Sequence, residues 1–165
     1  MNVNIRIGQG FDAHRFCEGD HVTIGGVRIP FERGVEAHSD GDVLLHAITD
    51  ALLGAAGLGD IGQHFPDTDP RWKDADSLEL LRQVYHQVVA AGYEVANVDS
   101  TVVLERPRLR PYIDTMRANI ARVLALPAEA VSVKATTSEG MGFVGIGEGA
   151  VAFAVCLLRP RTVES

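Results

Sequence analysis

The side chains of this 165-residue chain best suited to chemistry are Asp12, His14 and His46. Asp12 and His14 stand two apart at the end of VNIRIGQGFDAH, where Val3, Ile5 and Ile7 alternate with polar or small residues as a strand does. Side chains at i and i+2 of an extended backbone project to the same side, so this pair forms half of a metal site. His46 lies in the stretch HSDGDVLLHAITDALLGAAGLGDIGQHFPDTD, with Asp42 and Asp50 four residues away on either side. A histidine between two carboxylates on one helical stripe has the pattern of a metal ligand with supporting hydrogen bonds, and Asp42 and Asp50 are expected to support that histidine or the substrate. Between Arg33 and Arg71 there is no Lys or Arg, against seven acids (Glu36, Asp40, Asp42, Asp50, Asp60, Asp67 and Asp69), so a cation is expected to sit there.

The elements that must bring these groups together are legible from periodicity and punctuation. Ser39 followed by Asp42 reads as a capping box opening a helix. Val43, Leu44, Ala47, Ile48, Ala51, Leu52 and Ala55 form its buried stripe, and Gly57 ends it. His38, just before Ser39, would then stand at a helix N-terminus, whose free N–H groups and positive dipole end suit a phosphate. The segment GDIGQHFPDTDP is too rich in Gly, Pro and Asp for regular structure and reads as a loop, well placed to hold substrate hydroxyl groups. Gly8 and Gly10 in the first strand permit close approach of another segment. Gly25-Gly26 between two short β runs over 21–30 marks a hairpin of structural purpose, with His21 on the surface.

Asp76 or Ser77 caps a second helix with Leu78, Leu81, Val84, Tyr85, Val88 and Val89 on its apolar face, and no chemistry is expected of it. A strand follows over 93–105, then ERPRLRP, a dense basic turn suited to a phosphate or a base edge. Pro111 opens a third helix at the position where proline is tolerated. AVSVKATT reads as a strand, SEGMGFVGIGEG as a glycine-rich loop carrying Glu139 and Phe143, and AVAFAVCLL as a last strand apolar on both faces, each of which needs cover. The tail from Arg159 is polar and expected to fray. The order predicts an α+β fold, a mixed β-sheet with helices packed on one face, in one domain over residues 1–165.

A net charge of -7 argues against a general nucleic-acid-binding surface, and an anionic substrate would need metal ions or local Lys and Arg. The longest apolar run, residues 149–158, is too short to cross a bilayer, so no membrane partner is expected. Cys17 and Cys156 have no zinc-type spacing and read as free thiols of a reducing, cytoplasmic protein.

GQGFDAHRF, AHSDGDVLLHAITDALLGAAGLGDIGQHFPDTDP and VKATTSEGMGF, in this order and at these separations, resemble the 2-C-methyl-D-erythritol 2,4-cyclodiphosphate synthase family over essentially the whole chain. The resemblance implies a lyase of the non-mevalonate isoprenoid precursor route. The 2-phosphate of 4-diphosphocytidyl-2-C-methyl-D-erythritol 2-phosphate attacks the β-phosphorus, releasing CMP and closing a cyclic diphosphate. It also implies a homotrimer around a three-fold axis with active sites between subunits. By the same resemblance Asp12, His14 and His46 match zinc ligands, and Glu139 a ligand of a second cation, Mg²⁺ or Mn²⁺. His38 and Thr137 match groups that stabilise the transition state. Asp12, His14, His38, Ser39, Asp60, Ile61, Gly62, Phe65, Pro66, Asp67, Thr68 and Asp69 match the methylerythritol and phosphate side. Leu104, Glu105, Arg106, Pro107, Arg108, Leu109, Arg110, Thr136, Thr137, Ser138, Glu139 and Phe143 match the cytidine and phosphate side. Two departures stand out: Ile146 where an arginine lining an axial cavity is common, and Arg108 where a lysine is common. A metal-dependent phosphohydrolase acting on a related diphosphate is the alternative reading, with water as nucleophile.

Overall fold

The computed structural model describes residues 3–162. Its first strand, β1 (Arg6–Cys17), begins and ends later than the alternation over 3–14 predicts. The extra length is paired: Phe16 and Cys17 meet the two-residue strand β4 (Gly34–Val35), and Arg6 to Arg15 run antiparallel to β7 (Gly149–Pro160). β7 also pairs antiparallel with β5 (Tyr93–Val103), which pairs in parallel with β6 (Val131–Thr136). The result is a mixed five-stranded sheet ordered β4-β1-β7-β5-β6. The predicted hairpin is present as β2 (His21–Ile24) and β3 (Val27–Pro30), outside that sheet, with both turn glycines at positive φ as a tight two-residue turn requires. The tail pairs rather than frays as far as Pro160; residues 163–165 lie outside the described ones.

Three long helices cover one face of the sheet: α1 (Val43–Ala56), α3 (Ser77–Ala90) and α4 (Ile113–Leu124). α2 (Ile61–His64) and a 3-10 turn over Pro70–Trp72 interrupt what reads as an irregular loop, because Asp60 and Asp69 each cap the backbone that follows them. A fifth helix, α5 (Gly142–Gly145), is a single turn in the glycine-rich segment. Among the described residues no helix is long and apolar enough to cross a membrane.

α1 is the centre of the core. Ten of its residues are buried, on every side, so it is not the one-sided amphipathic helix that the stripe suggests. Only the line His46, Asp50, Gly54, together with Ala56, keeps any access to solvent. The helix lies directly on β1: a Cβ on Gly8 would overlap the Ala51 carbonyl, and one on Gly10 the Ala47 carbonyl. Alanines at 47, 51 and 55 face those glycines, so the two backbones meet with almost no side chain between them. Burial also pushes the Cys156 thiol on the neighbouring strand up to about 12.

The capping differs from expectation. Gly41 takes a left-handed φ of 72°, and the helix begins two residues beyond it. Asp42, not Ser39, is the N-cap, and its carboxylate accepts from Leu45 N at 3.0 Å, Gly25 N at 2.9 Å and Gly26 N at 2.8 Å. One buried carboxylate therefore caps the start of the helix and holds the β2–β3 turn. It outcompetes Ser39 because it satisfies three backbone donors at once.

The other face of the sheet is apolar and uncovered in the single chain. Ile7 is 70 % exposed, and Phe11, Phe153 and Val155 are each about half exposed. Phe11 and Phe153 are register partners with ring centroids 5.2 Å apart.

Gly10→Ala is expected to lower stability by about 1–3 kcal/mol or more, because neither backbone can yield without moving the helix. Urea unfolding measures this; a midpoint equal to wild type would contradict the packing described.

Candidate metal centre

Asp12 and His14 leave β1 toward the helices, as the two-residue spacing predicts, and His46 descends on them from α1. Asp12 Oδ2 lies 2.8 Å from His14 Nε2 and 3.1 Å from His46 Nδ1. The two ring nitrogens are 3.3 Å apart. Tetrahedral bonds of zinc length, about 2.0–2.1 Å, put neighbouring ligand atoms roughly 3.3 Å from each other, so a carboxylate and two imidazoles so arranged fit a tetrahedral ion with one position left over. Among the described residues this is the one group of three ligand-type side chains within 4.8 Å. Burial raises the Asp12 pKa, but hydrogen bonds and charge from His14 and His46 outweigh it and hold the carboxyl at about 2. The His46 ring loses hydration on burial, yet the bond and charge of Asp12 keep its pKa above the usual histidine value.

A cleft of about 460 Å³ opens beside this group. His14, His38, Ser39, His46, Ile61, Gly62, Phe65, Pro66 and Asp67 line it, all of them expected site residues. Ala37, Trp72 and Leu80 line it as well, and sequence reasoning missed them. Trp72, the only tryptophan, packs edge-on against Phe65 at 4.8 Å, and a single tryptophan just after the acidic loop was the available signal. Leu80 had none, since it looks like any apolar helix residue.

Several expectations are corrected. The α1 N-terminus starts beyond Ser39: Asp42, fully buried, caps it and takes the Leu45 N–H. His38 instead lies in the loop before the helix, its Nε2 3.1 Å from the Asp69 carbonyl. Neither Asp42 nor Asp50 supports His46. Asp42 braces the hairpin, and Asp50 accepts from Ile61 N at 2.8 Å, docking α2 on α1. The group behind His46 is Ser77, 2.9 Å from its Nε2 and backed by Asp40, at the start of a helix from which no chemistry was expected. The acidic stretch is largely explained without a cation. Asp40, Asp42, Asp50 and Asp60 accept backbone N–H groups, and Asp69 is held by Arg71 Nη2 at 2.7 Å. Thr68 is exposed.

The remaining expected residues lie elsewhere. Leu104, Glu105, Pro107, Arg108, Leu109, Arg110, Thr136 and Thr137 line a separate cleft of about 490 Å³ where β5 and β6 end, together with Lys134. Arg106 points away to Glu32, within 2.7 Å of its Oε2. Glu105 Oε1 accepts from Ser138 N at 2.9 Å and so shapes the turn that presents Glu139, which has a φ of 56°. Glu139 is not among the residues gathered around His46. Phe143 lines a third cavity of about 200 Å³ with His14, Arg15 and Glu148. Ile146 is 76 % exposed, and Glu148 pairs with Arg15 at 3.2 Å.

Residues 5–159 match the model of the YgbB family. The chain is 61 % identical over 155 residues to a Salinibacter ruber protein named 2-C-methyl-D-erythritol 2,4-cyclodiphosphate synthase, covering 94 % of this chain and 99 % of that one. It is 62 % identical over 156 residues to a Methylococcus capsulatus protein of the same name, with the same coverage. The fold is similar to the bifunctional IspDF of Campylobacter jejuni, with a TM-score of 0.93 and 45 % identity over 97 % of this chain and 43 % of that chain. It is also similar to the CDP complex of Plasmodium falciparum IspF, with a TM-score of 0.85 and 34 % identity over 98 % and 100 %.

In metal-free protein the Asp12–His46 bond should matter most at mildly acidic pH. Asp12 has a folded pKa below its unfolded value, so its contribution is present above about 4 and lost as pH falls toward 2. His46 has a folded pKa above its unfolded value, so its contribution is present below about 6.5 and lost as pH rises through the folded value. Asp12→Asn should therefore lower the melting temperature of chelator-treated protein most near pH 5, by a loss on the order of 2 kcal/mol, and less at pH 8 or pH 3. A difference independent of pH in thermal melts would contradict this.

Proposed function

This chain belongs to the YgbB family, among relatives that are 2-C-methyl-D-erythritol 2,4-cyclodiphosphate synthases, and we propose that its two large clefts serve that one reaction, each holding one end of the substrate. The enzyme converts 4-diphosphocytidyl-2-C-methyl-D-erythritol 2-phosphate to the 2,4-cyclodiphosphate and CMP in isoprenoid biosynthesis. The observation that carries the residue assignment is the convergence of Asp12, His14 and His46 at the mouth of the first cleft.

Asp12, His14 and His46 would hold Zn²⁺, and Glu139 would hold a second cation, Mg²⁺ or Mn²⁺. Such ions supply positive charge to phosphate oxygens that otherwise repel each other. The nucleophile is a phosphate, already ionised at neutral pH, so no strong general base is required; what is required is in-line placement of anionic groups. His38 at the cleft wall and Thr137 at the end of β6 are suited to donate hydrogen bonds to the phosphoryl oxygens as charge builds on them. Ile61, Gly62, Phe65, Pro66 and Asp67 form a pocket of the size and mixed polarity that a methylerythritol needs, with Asp67 accepting from its hydroxyls. Asp60, Thr68 and Asp69 shape that loop through their caps and turns. Arg108 and Arg110, with Leu104, Pro107, Leu109 and Thr136, offer a basic and apolar surface for the diphosphocytidyl end. The family resemblance adds Ser138 to that side, and also Arg106 and Phe143, although in the single chain Arg106 is held by Glu32 and Phe143 lines the third cavity.

The two clefts are distinct within one chain, which supports an active site assembled from neighbouring subunits. The uncovered face with Ile7, Phe11, Phe153 and Val155 supports burial against other copies, and a homotrimer around a three-fold axis meets both needs. Free Cys17 and Cys156 accord with a cytoplasmic enzyme.

Purified protein incubated with the diphosphocytidyl substrate, Zn²⁺ and Mg²⁺ should release CMP and give a cyclic diphosphate by phosphorus NMR; an open-chain product would mark a hydrolase instead. His46→Ala should lose bound zinc and at least about 100-fold in activity, since a ligand is removed outright. A zinc-replete, fully active variant would refute the metal assignment. Sedimentation at micromolar concentration should give three times the chain mass, and a monomer would overturn the assembly.

A further inference from the structure

The His46 ring has two nitrogens with different surroundings. Nδ1 faces Asp12 and His14. Nε2 faces away from them, 2.9 Å from Ser77 Oγ and 3.2 Å from Ser39 Oγ. Ser77 is 1 % exposed and is the first residue of α3. Asp40 grips it twice: Oδ2 accepts Ser77 N–H at 2.9 Å, and Oδ1 accepts the Ser77 hydroxyl. Asp40 is itself fixed, since its Oδ1 also accepts from Asp42 N at 3.1 Å and its own N–H donates to the Ala75 carbonyl at 3.2 Å.

The direction of these bonds follows from the donor inventory. An ionised carboxylate only accepts, so the single hydroxyl proton of Ser77 goes to Asp40. Toward His46 the Ser77 oxygen can then only accept, so Nε2 must carry the ring proton. A neutral imidazole protonated at Nε2 has its lone pair at Nδ1. Ser39 imposes no such choice, because its hydroxyl proton is not committed to a carboxylate and can turn either way.

We infer that Ser77, held by Asp40, is a positioning residue for the metal centre: it fixes His46 as the Nε2–H tautomer and so presents Nδ1 as the ligand atom. The inference rests on the proposed metal centre and extends it to residues that touch neither ion nor substrate. It also gives α3 a second purpose, since the contact that ties its first turn to the segment before α1 is the one that sets the ligand. Without the Ser77 acceptor, the nearby Asp12 carboxylate would draw the ring proton to Nδ1, the position a metal ion needs free.

The test reads proton position and metal affinity rather than turnover. In zinc-loaded wild-type protein labelled with ¹⁵N-histidine, the His46 ring proton should be found on Nε2 and exchange slowly with water. Ser77→Ala should bind zinc about 10–100-fold more weakly in chelator competition, and the Nε2 proton should exchange fast. Ser77→Thr, which keeps the hydroxyl, should recover most of the affinity. A proton on Nδ1 in the wild type, or equal zinc affinity in a folded Ser77→Ala protein, overturns the inference while leaving the metal centre standing. If Ser77→Ala does not fold, the wild-type proton position decides alone. Wild-type protein that takes up no zinc would bring down the metal centre itself, and this inference with it.

Discussion

Gly8 and Gly10 let α1 lie on β1 at a separation set by backbone atoms rather than side chains. That contact fixes the depth and rotation of α1 against the sheet, and everything at the metal centre depends on it. Asp12 and His14 continue the same face of β1 one step beyond the glycines, and His46 precedes Ala47 on the helix. Where the glycines end, the gap between helix and sheet is filled by three polar side chains instead of a methyl layer. A shift of α1 outward by the thickness of one side chain would part Nδ1 of His46 from Asp12, because neither imidazole nor carboxylate has the reach to follow. The tight packing of the interior makes that contact stiff.

The carboxylates around this contact hold the frame more than they hold ligands. Asp42 joins the start of α1 to the β2–β3 turn, Asp50 joins α1 to α2, and Asp40 joins the segment before α1 to α3. Each accepts backbone N–H groups that would otherwise be unpaired where loops meet helix ends, and an ionised acceptor makes such bonds stronger than a neutral one would. Burial and the nearby Asp40 charge push the Asp42 pKa up to about 6, so its braces carry an electrostatic strain that a core carboxylate cannot avoid. The frame thereby surrounds His46 with defined partners on both nitrogens.

The single chain has both an uncovered sheet face and two separate clefts. Strands β1 and β7 alternate strictly, so the residues that do not face the helices, Phe11, Phe153 and Val155, must face outward. A monomer would leave that apolar surface in water, and it would also leave a metal centre without the basic loop of residues 104–110. The proposed association of subunits would answer both.

The sequence by itself determined the elements and the identity of the metal-type residues. Alternation gave β1, β-branched and apolar runs gave β5 and β7, punctuation by Gly25-Gly26 and Gly57 gave the hairpin and the end of α1, and the Asp12–His14 spacing gave half a site. Local rules reach that far because strand pleat, helix period and turn conformation are set by neighbours in the chain. The long quoted motifs added the family and its reaction. Only the tertiary structure decided that Asp42 caps α1, that α1 is buried on all sides, and that Asp40, Asp42, Asp50 and Asp60 accept backbone amides. It alone showed Ser77 and Asp40 behind His46, and Trp72 and Leu80 in the cleft. Ser77 lies 31 residues from His46 and 37 from Asp40. No periodicity spans such a gap: a hydrogen bond between distant residues is chosen by how helices pack on a sheet, and here that packing is set by two glycines.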